Sequence, residues 1–154
     1  MTSSSSSSSG GEFLAKKSVL MRARQGLPQL ANILIIEDET FDAERLSATL
    51  RVMFGYELLV RRAATLASAL DRIIEQKPEI IFLDDVLKPS DDASQSIPYI
   101  RRAGYEGPIV VVSGQVTRTR RATLLAAGAT DVIHKDDVDS VRLAEALVRV
   151  LKKT

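Results

Sequence analysis

At 154 residues, 45% of them hydrophobic and 27% charged, the chain is long enough for one ordinary domain with a hydrophobic core and too short for two, and no apolar run approaches the roughly 18 residues of a membrane span. It has no cysteine, which excludes a disulfide framework, a thiolate metal site and a cysteine nucleophile. The net charge of +1 divides unevenly: residues 1–30 carry Lys16, Lys17, Arg22 and Arg24 against Glu12, and the remaining 17 basic and 19 acidic residues give no electrostatic footprint for nucleic-acid binding.

Residues 1–13, a serine run followed by two glycines, have nothing to bury and are expected to be a disordered leader of the kind appended as a linker. Residues 14–30 form a basic extension whose good helix formers between Leu14 and Gln25 allow a short helix before Gly26 and Pro28 interrupt it. Residues 31–154 are expected to form the folded domain. Asn32–Ile36 (NILII) is a nearly continuous apolar run, as in a strand buried on both faces of a parallel sheet. A helix over 41–54 follows, with Ala43, Leu46, Leu50, Met53 and Phe54 at helical spacing and Gly55 as its stop. Residues 57–60 (ELLV) are expected as the second strand, and Thr65 caps a second helix carrying Leu66, Ala69, Leu70, Ile73 and Ile74 on one face.

The third strand is predicted at 80–83 (IIFL) and the fourth at 109–112 (IVVV). Between them a third helix is expected near 97–102, with Pro98 in its first turn or kinking it, after a polar loop PSDDASQS. A fourth helix over 117–127 ends at Gly128, a fifth strand covers Asp131–His134, and Leu143, Leu147, Val150 and Leu151 mark the last helix. Five strands alternating with five helices predict an α/β open doubly wound five-stranded parallel sheet with helices on both faces.

Ligands in such sheets sit beyond the carboxyl ends of the strands. Glu37, Asp38 and Glu39 follow the first strand, Asp84 and Asp85 the third, Ser113 the fourth and Lys135 the fifth. If they converge, clustered carboxylates repel one another, and an incomplete set of oxygen donors suits magnesium better than zinc. One carboxylate can then act as nucleophile toward phosphorus, with Lys135 and the Ser113 hydroxyl binding the other phosphoryl oxygens.

These residues, as IIEDE, KPEIIFLDDVLKP, IVVVSG and the lysine of VIHKDD in that order, resemble the receiver domain of bacterial two-component response regulators across nearly everything after Ala31. The resemblance implies the flavodoxin-like receiver fold. It implies that Asp84 is the phosphoacceptor, that Glu37 and Asp38 supply or organise metal ligands, and that the Val86 carbonyl is a backbone ligand to Mg2+. It further implies that Ser113 is the switch hydroxyl, that Lys135 is the family's lysine, and that the donor is a histidine kinase or phosphotransfer protein. Asp84 is favoured over Asp85 because it directly follows the strand, lies at the family's spacing from Pro78, and neighbouring strand residues point to opposite sides.

Several positions depart from the family pattern. Val132 stands where a switch aromatic is usual, Asp136 follows the lysine in place of proline, and the loop after Asp84 lacks the usual glycine. His134, the only histidine, is expected to face away from the site. Phe41, Phe54, Tyr56 and Phe82 are read as core residues, and Arg118, Arg120 and Arg121 as a solvated basic face or, alternatively, a docking patch for an acidic partner. The leading expectation is a cytoplasmic signalling switch, not an enzyme on other substrates. With no output domain after Thr154, it is expected to act through protein contacts with a downstream target, with a homodimer allowed and no membrane association. The alternatives are a receiver-like adaptor that is not phosphorylated and an aspartyl-nucleophile phosphohydrolase. The latter usually wants an acid two residues after the first, where Val86 stands. A nucleotide-binding module would need a glycine-rich loop after the first strand, where Glu37 and Asp38 stand instead.

Overall fold

The computed structural model describes residues 26–87 and 91–151; the leader and the helix expected between Leu14 and Gln25 lie outside the described residues. Five strands, β1 (Asn32–Ile36), β2 (Leu59–Ala63), β3 (Ile80–Asp84), β4 (Ile109–Ser113) and β5 (Asp131–His134), form one parallel sheet in the order β2-β1-β3-β4-β5. The connecting helices are α1 (Thr40–Phe54), α2 (Leu66–Glu75), α3 (Ala93–Arg102), α4 (Arg118–Ala127) and α5 (Val141–Leu151). The strand order reverses between β1 and β3, which opens a crevice at their carboxyl ends.

Every residue of β1, β3 and β4 is buried, so their side chains supply two cores, one on each face. Ile33, Ile35, Phe82 and Val110 pack with Leu46, Leu50 and Met53 of α1 and Leu143 and Leu147 of α5. Leu34, Ile36, Ile81, Leu83 and Val111 pack with Ile73 of α2, Ile97 and Ile100 of α3 and Leu124 of α4. Thr65 caps α2 through Ser68, Thr117 caps α4 through the Arg120 N–H, and Gly128 ends α4 at φ +119°, a left-handed conformation open to glycine at little cost. Among the described residues no helix is long and apolar enough to cross a membrane.

Some expectations need correction. The second strand runs over Leu59–Ala63, not 57–60, because it is an edge strand that tolerates polar residues. Arg61 reaches the carbonyls of Arg72 and Gln76, and Arg62 reaches those of Glu37 and Asp38. The third helix begins at Ala93, inside the segment read as a polar loop, because the Asp92 carboxylate accepts from the Ser94 N–H at 2.8 Å and caps it. Pro98 therefore stands mid-helix, not in the first turn. Ahead of this cap, Val86–Leu87 pairs antiparallel with Asp91–Asp92. Phe41 and Tyr56 are exposed, not core; the buried aromatic that composition did not single out is Tyr105, whose hydroxyl donates to the Pro108 carbonyl.

Candidate functional site

In register, Ile36 of β1 lies beside Leu83 of β3, so the next residues, Glu37 just after β1 and Asp84 at the end of β3, stand side by side. Both are buried, and Asp38 is half-buried. One carboxylate oxygen from each of the three lies within 4.8 Å of the others. Alternation along β3 puts Asp84 on the Phe82 side, and there it borders a small cavity of about 20 Å³ together with Glu37, Asp42, Leu46, Val112 and Lys135.

Lys135, just after β5, brings its Nζ to 3.4 Å from Asp84 Oδ1 and 3.8 Å from Asp42 Oδ2. The Arg45 guanidinium donates to the Lys135 carbonyl at 2.5 Å and fixes the loop that carries the lysine. Burial weakens the Lys135 charge, but Asp84, Glu37 and Asp42 outweigh it and hold the ammonium above its ordinary pKa. The lysine is thus a firm cation facing the acids.

The acids are poorly served. Burial above all pushes the Glu37 carboxyl up to about 8; the Glu39 N–H, donating at 3.1 Å, pulls it down, and Asp84 pushes it further up. Burial also raises Asp84, only partly offset by Glu37, Lys135 and the Val86 N–H. Asp84 Oδ1 is shielded from solvent and accepts no aligned hydrogen bond. One lysine cannot balance three converging carboxylates, so the cluster favours either a shared proton or a further cation. An oxygen-only donor set of this charge fits a hard divalent cation such as Mg2+, with Glu37, Asp38 and Asp84 as the side chains able to hold it.

Asp85 has different company. Its carboxylate accepts from the Ser113 hydroxyl at 2.6 Å and from Arg120 through Nε at 3.2 Å and through Nη2. Ser113 is buried, but its hydroxyl is engaged by Asp85 and the Gln115 backbone, and it is not among the residues lining the cavity at Asp84. Glu37, Asp38, Asp84 and Lys135 are therefore brought together, whereas Ser113 is bonded to the neighbouring acid. Val86 has an exposed side chain and begins the short ladder with Asp92. His134 accepts the Asp136 N–H on Nδ1, and Val132 is buried beneath α4 in the core of that face.

The arginines of α4 are not a uniform solvated face. Arg120 joins Asp85 to Asp92, and Arg121 pairs with Asp131 at 2.9 Å; Arg118 is exposed. Sequence reasoning also missed Asp42, Arg45 and Arg62. Arg62 grips the two carbonyls after β1 and steadies the acidic loop, yet an arginine in an edge strand carries no signal of that task in a single sequence.

Residues 33–148 match the response regulator receiver domain family, three quarters of the chain. No curated protein matches the sequence. The signal receiver domain of the putative response regulator NarL from Mycobacterium tuberculosis superposes with a TM-score of 0.69 at 18% identity, over 82% of this chain and 100% of that one. The BeF3-activated N-terminal receiver domain of Klebsiella pneumoniae RstA gives a TM-score of 0.67 at 26% identity, over 79% of this chain and 98% of that one. A response regulator from Burkholderia pseudomallei, solved with a phosphorylated aspartic acid, calcium ion and citrate, gives 0.65 at 22% identity over 80% and 67%. With the sheet order, the strand-end acids and the lysine in place, the match over residues 33–148 makes this chain a member of the response regulator receiver domain family of two-component systems.

Proposed function

We propose that this chain is a phosphoacceptor switch in which Asp84 takes a phosphoryl group from the phosphohistidine of a histidine kinase or phosphotransfer protein. The observation that carries the reading is the contrast at Asp84: a buried carboxylate with an unbonded oxygen, 3.4 Å from a lysine ammonium and beside two further acids. A carboxylate oxygen of Asp84 attacks phosphorus, an O–P bond forms, the P–N bond to the donor imidazole breaks, and the electron pair returns to that nitrogen. Lys135 holds positive charge where phosphoryl oxygens arrive. Glu37, Asp38, Asp84 and the Val86 carbonyl would hold Mg2+, which when bound supplies charge that keeps the acids ionised and offsets the incoming oxyanions. The BeF3-activated state of the Klebsiella relative is in keeping with this reading.

The switch signals from the cytoplasm through protein contacts with a downstream target, not as an enzyme on other substrates. Val132 lacks the ring that would report on the site, so the response passes through Ser113 and α4. Incubation with acetyl phosphate and MgCl2, followed by intact mass measurement, tests the reading. The expected result is a labile gain of one phosphoryl group that requires Mg2+. An unchanged mass with Mg2+ present would leave the non-phosphorylated adaptor standing. Continuous release of phosphate with no lasting adduct would favour a phosphohydrolase.

A further inference from the structure

The side chains of Ser113, Asp85, Arg120 and Asp92 form one connected chain of hydrogen bonds on the opposite side of β3 from the Asp84 cavity. Asp85 is anchored by its backbone on both sides: its N–H donates to the Val112 carbonyl at 2.9 Å, and its carbonyl accepts from the Ala93 N–H at 2.8 Å. Its carboxylate is therefore a fixed acceptor, and it faces Ser113 at 2.6 Å and Arg120 through two nitrogens. Arg120, in the first turn of α4, also donates through Nη2 to Asp92 Oδ1 at 2.7 Å. Asp92 Oδ1 in turn accepts the Ser94 N–H and hydroxyl, each at 2.8 Å, at the start of α3. The loop after β3, the end of β4 and the first turns of α3 and α4 are thus tied through a single guanidinium.

A serine hydroxyl has one proton to give. At 2.6 Å from a buried carboxylate, that proton is committed in a charge-assisted bond, shorter than the 3.0 Å contact to the Gln115 carbonyl. It cannot at the same time be given to a phosphoryl oxygen on Asp84. For Ser113 to serve the phosphoryl group it must leave Asp85, and Asp85 must then rely on Arg120 alone. Because Arg120 sits on α4, a change in that bond is felt at the first turn of the helix.

We infer that Asp85 and Arg120 are positioning residues for Ser113, holding its hydroxyl away from the phosphoryl site and making its release the step that couples Asp84 to α4. The inference rests on the reading of Asp84 as phosphoacceptor. It gives Asp85 a role opposed to that of its neighbour: Asp84 receives the group, and Asp85 withholds the hydroxyl that would stabilise it. It also gives this chain a polar route to α4 where Val132 provides no aromatic one.

The test is a double-mutant cycle on the full chain with acetyl phosphate and MgCl2 as probe, the rate of uptake at Asp84 being followed by mass. The four proteins are the native chain, Asp85→Ala, Ser113→Ala and the double variant, with Asp85→Asn as a shape-preserving substitute should Asp85→Ala not fold. The expected result is uptake about tenfold faster on Asp85→Ala when Ser113 is present, and no acceleration in the Ser113→Ala background. A purely electrostatic benefit of removing one negative charge would accelerate both backgrounds equally. That outcome, or no acceleration in either, overturns the inference while leaving Asp84 as the acceptor. Absence of any adduct on all four proteins overturns the phosphoacceptor reading, and this inference with it. A second readout is amide hydrogen exchange in the first turn of α4. Phosphorylation should speed exchange there in the native chain, and Asp85→Ala should show the faster exchange before phosphorylation; unchanged exchange in both contradicts the coupling.

Discussion

Asp84 and Asp85 are adjacent, chemically identical and almost equally buried, at 4% and 6% exposure, yet they stand in opposite electrostatic circumstances. Asp84 shares its surroundings with Glu37 and Asp38 and has one lysine and an oxygen without an aligned hydrogen bond. Asp85 has a guanidinium and a hydroxyl on its two oxygens. A buried carboxylate is costly unless it is paired and hydrogen-bonded. Asp85 meets that condition with partners of its own, whereas Asp84 must share its one cation, Lys135, with Glu37 and Asp42. The difference between the two acids lies in the partners that the strand's alternation assigns to each, and on the proposed reading it leaves Asp84 as the one free to react.

The largest expected effect separates the two directly. Asp84→Asn should abolish labelling by acetyl phosphate, whereas Asp85→Asn should still be labelled; equal labelling of both variants would erase the distinction. Next comes Lys135→Ala, which removes the cation beside Asp84 and is expected to slow uptake by about 100-fold, measured by the same mass shift over time. A rate within twofold of the native one would show that the ammonium is not aimed at the phosphoryl group.

The other side of β3 is probed through stability. Arg120→Ala removes three charge-assisted contacts, leaves the Asp85 carboxylate with Ser113 alone, and should cost about 2 kcal/mol in urea denaturation. Arg118→Ala, two residues earlier and exposed, should cost almost nothing. Similar losses for the two would mean that the Asp85 network adds little.

The smallest effect is one of pH, and its sign differs between the two sides. Glu37 is raised in the folded chain from 4.5 to about 8, so without divalent cations its neutral form stabilises the fold below pH 4.5 and that contribution is lost as pH rises through about 8. Asp92 behaves oppositely: burial raises it, but bonds from Arg120 and Ser94 outweigh burial and hold it below its ordinary value. Its contribution is present above the ordinary carboxylate pKa and fades as pH falls through its lowered value. Thermal unfolding of the metal-free chain should thus lose stability from pH 5 toward 8, and Glu37→Gln should flatten that slope. MgCl2 should recover stability at pH 8, an effect that an unchanged melting temperature would contradict.

Much of this arrangement was legible in the sequence, for a physical reason. Strands buried on both faces must be apolar throughout, so NILII, IIFL and IVVV announce themselves, and the acids, serine and lysine that follow them stand out by contrast. Where one side chain does two jobs the signal fails. β2 carries Arg61 and Arg62, whose guanidinium groups reach carbonyls, so the strand was expected at 57–60 and its second half, Arg61–Ala63, was missed. The start of α3 is hidden because Asp92 and Ser94 look like loop residues until their mutual hydrogen bonds are known. The Asp85–Arg120 pair spans 35 residues, and no local pattern links the two. Phe41 and Tyr56 mislead in the other direction, since hydrophobic character alone does not place a ring inside.

The central claim, that the poorly served carboxylate is the one that reacts, is tested most directly by locating the modification in the native chain. After incubation with acetyl phosphate and MgCl2, fragmentation of the peptide spanning residues 78–87 should place the phosphoryl group on Asp84, with Asp85 unmodified. A phosphoryl group found on Asp85 would contradict the account.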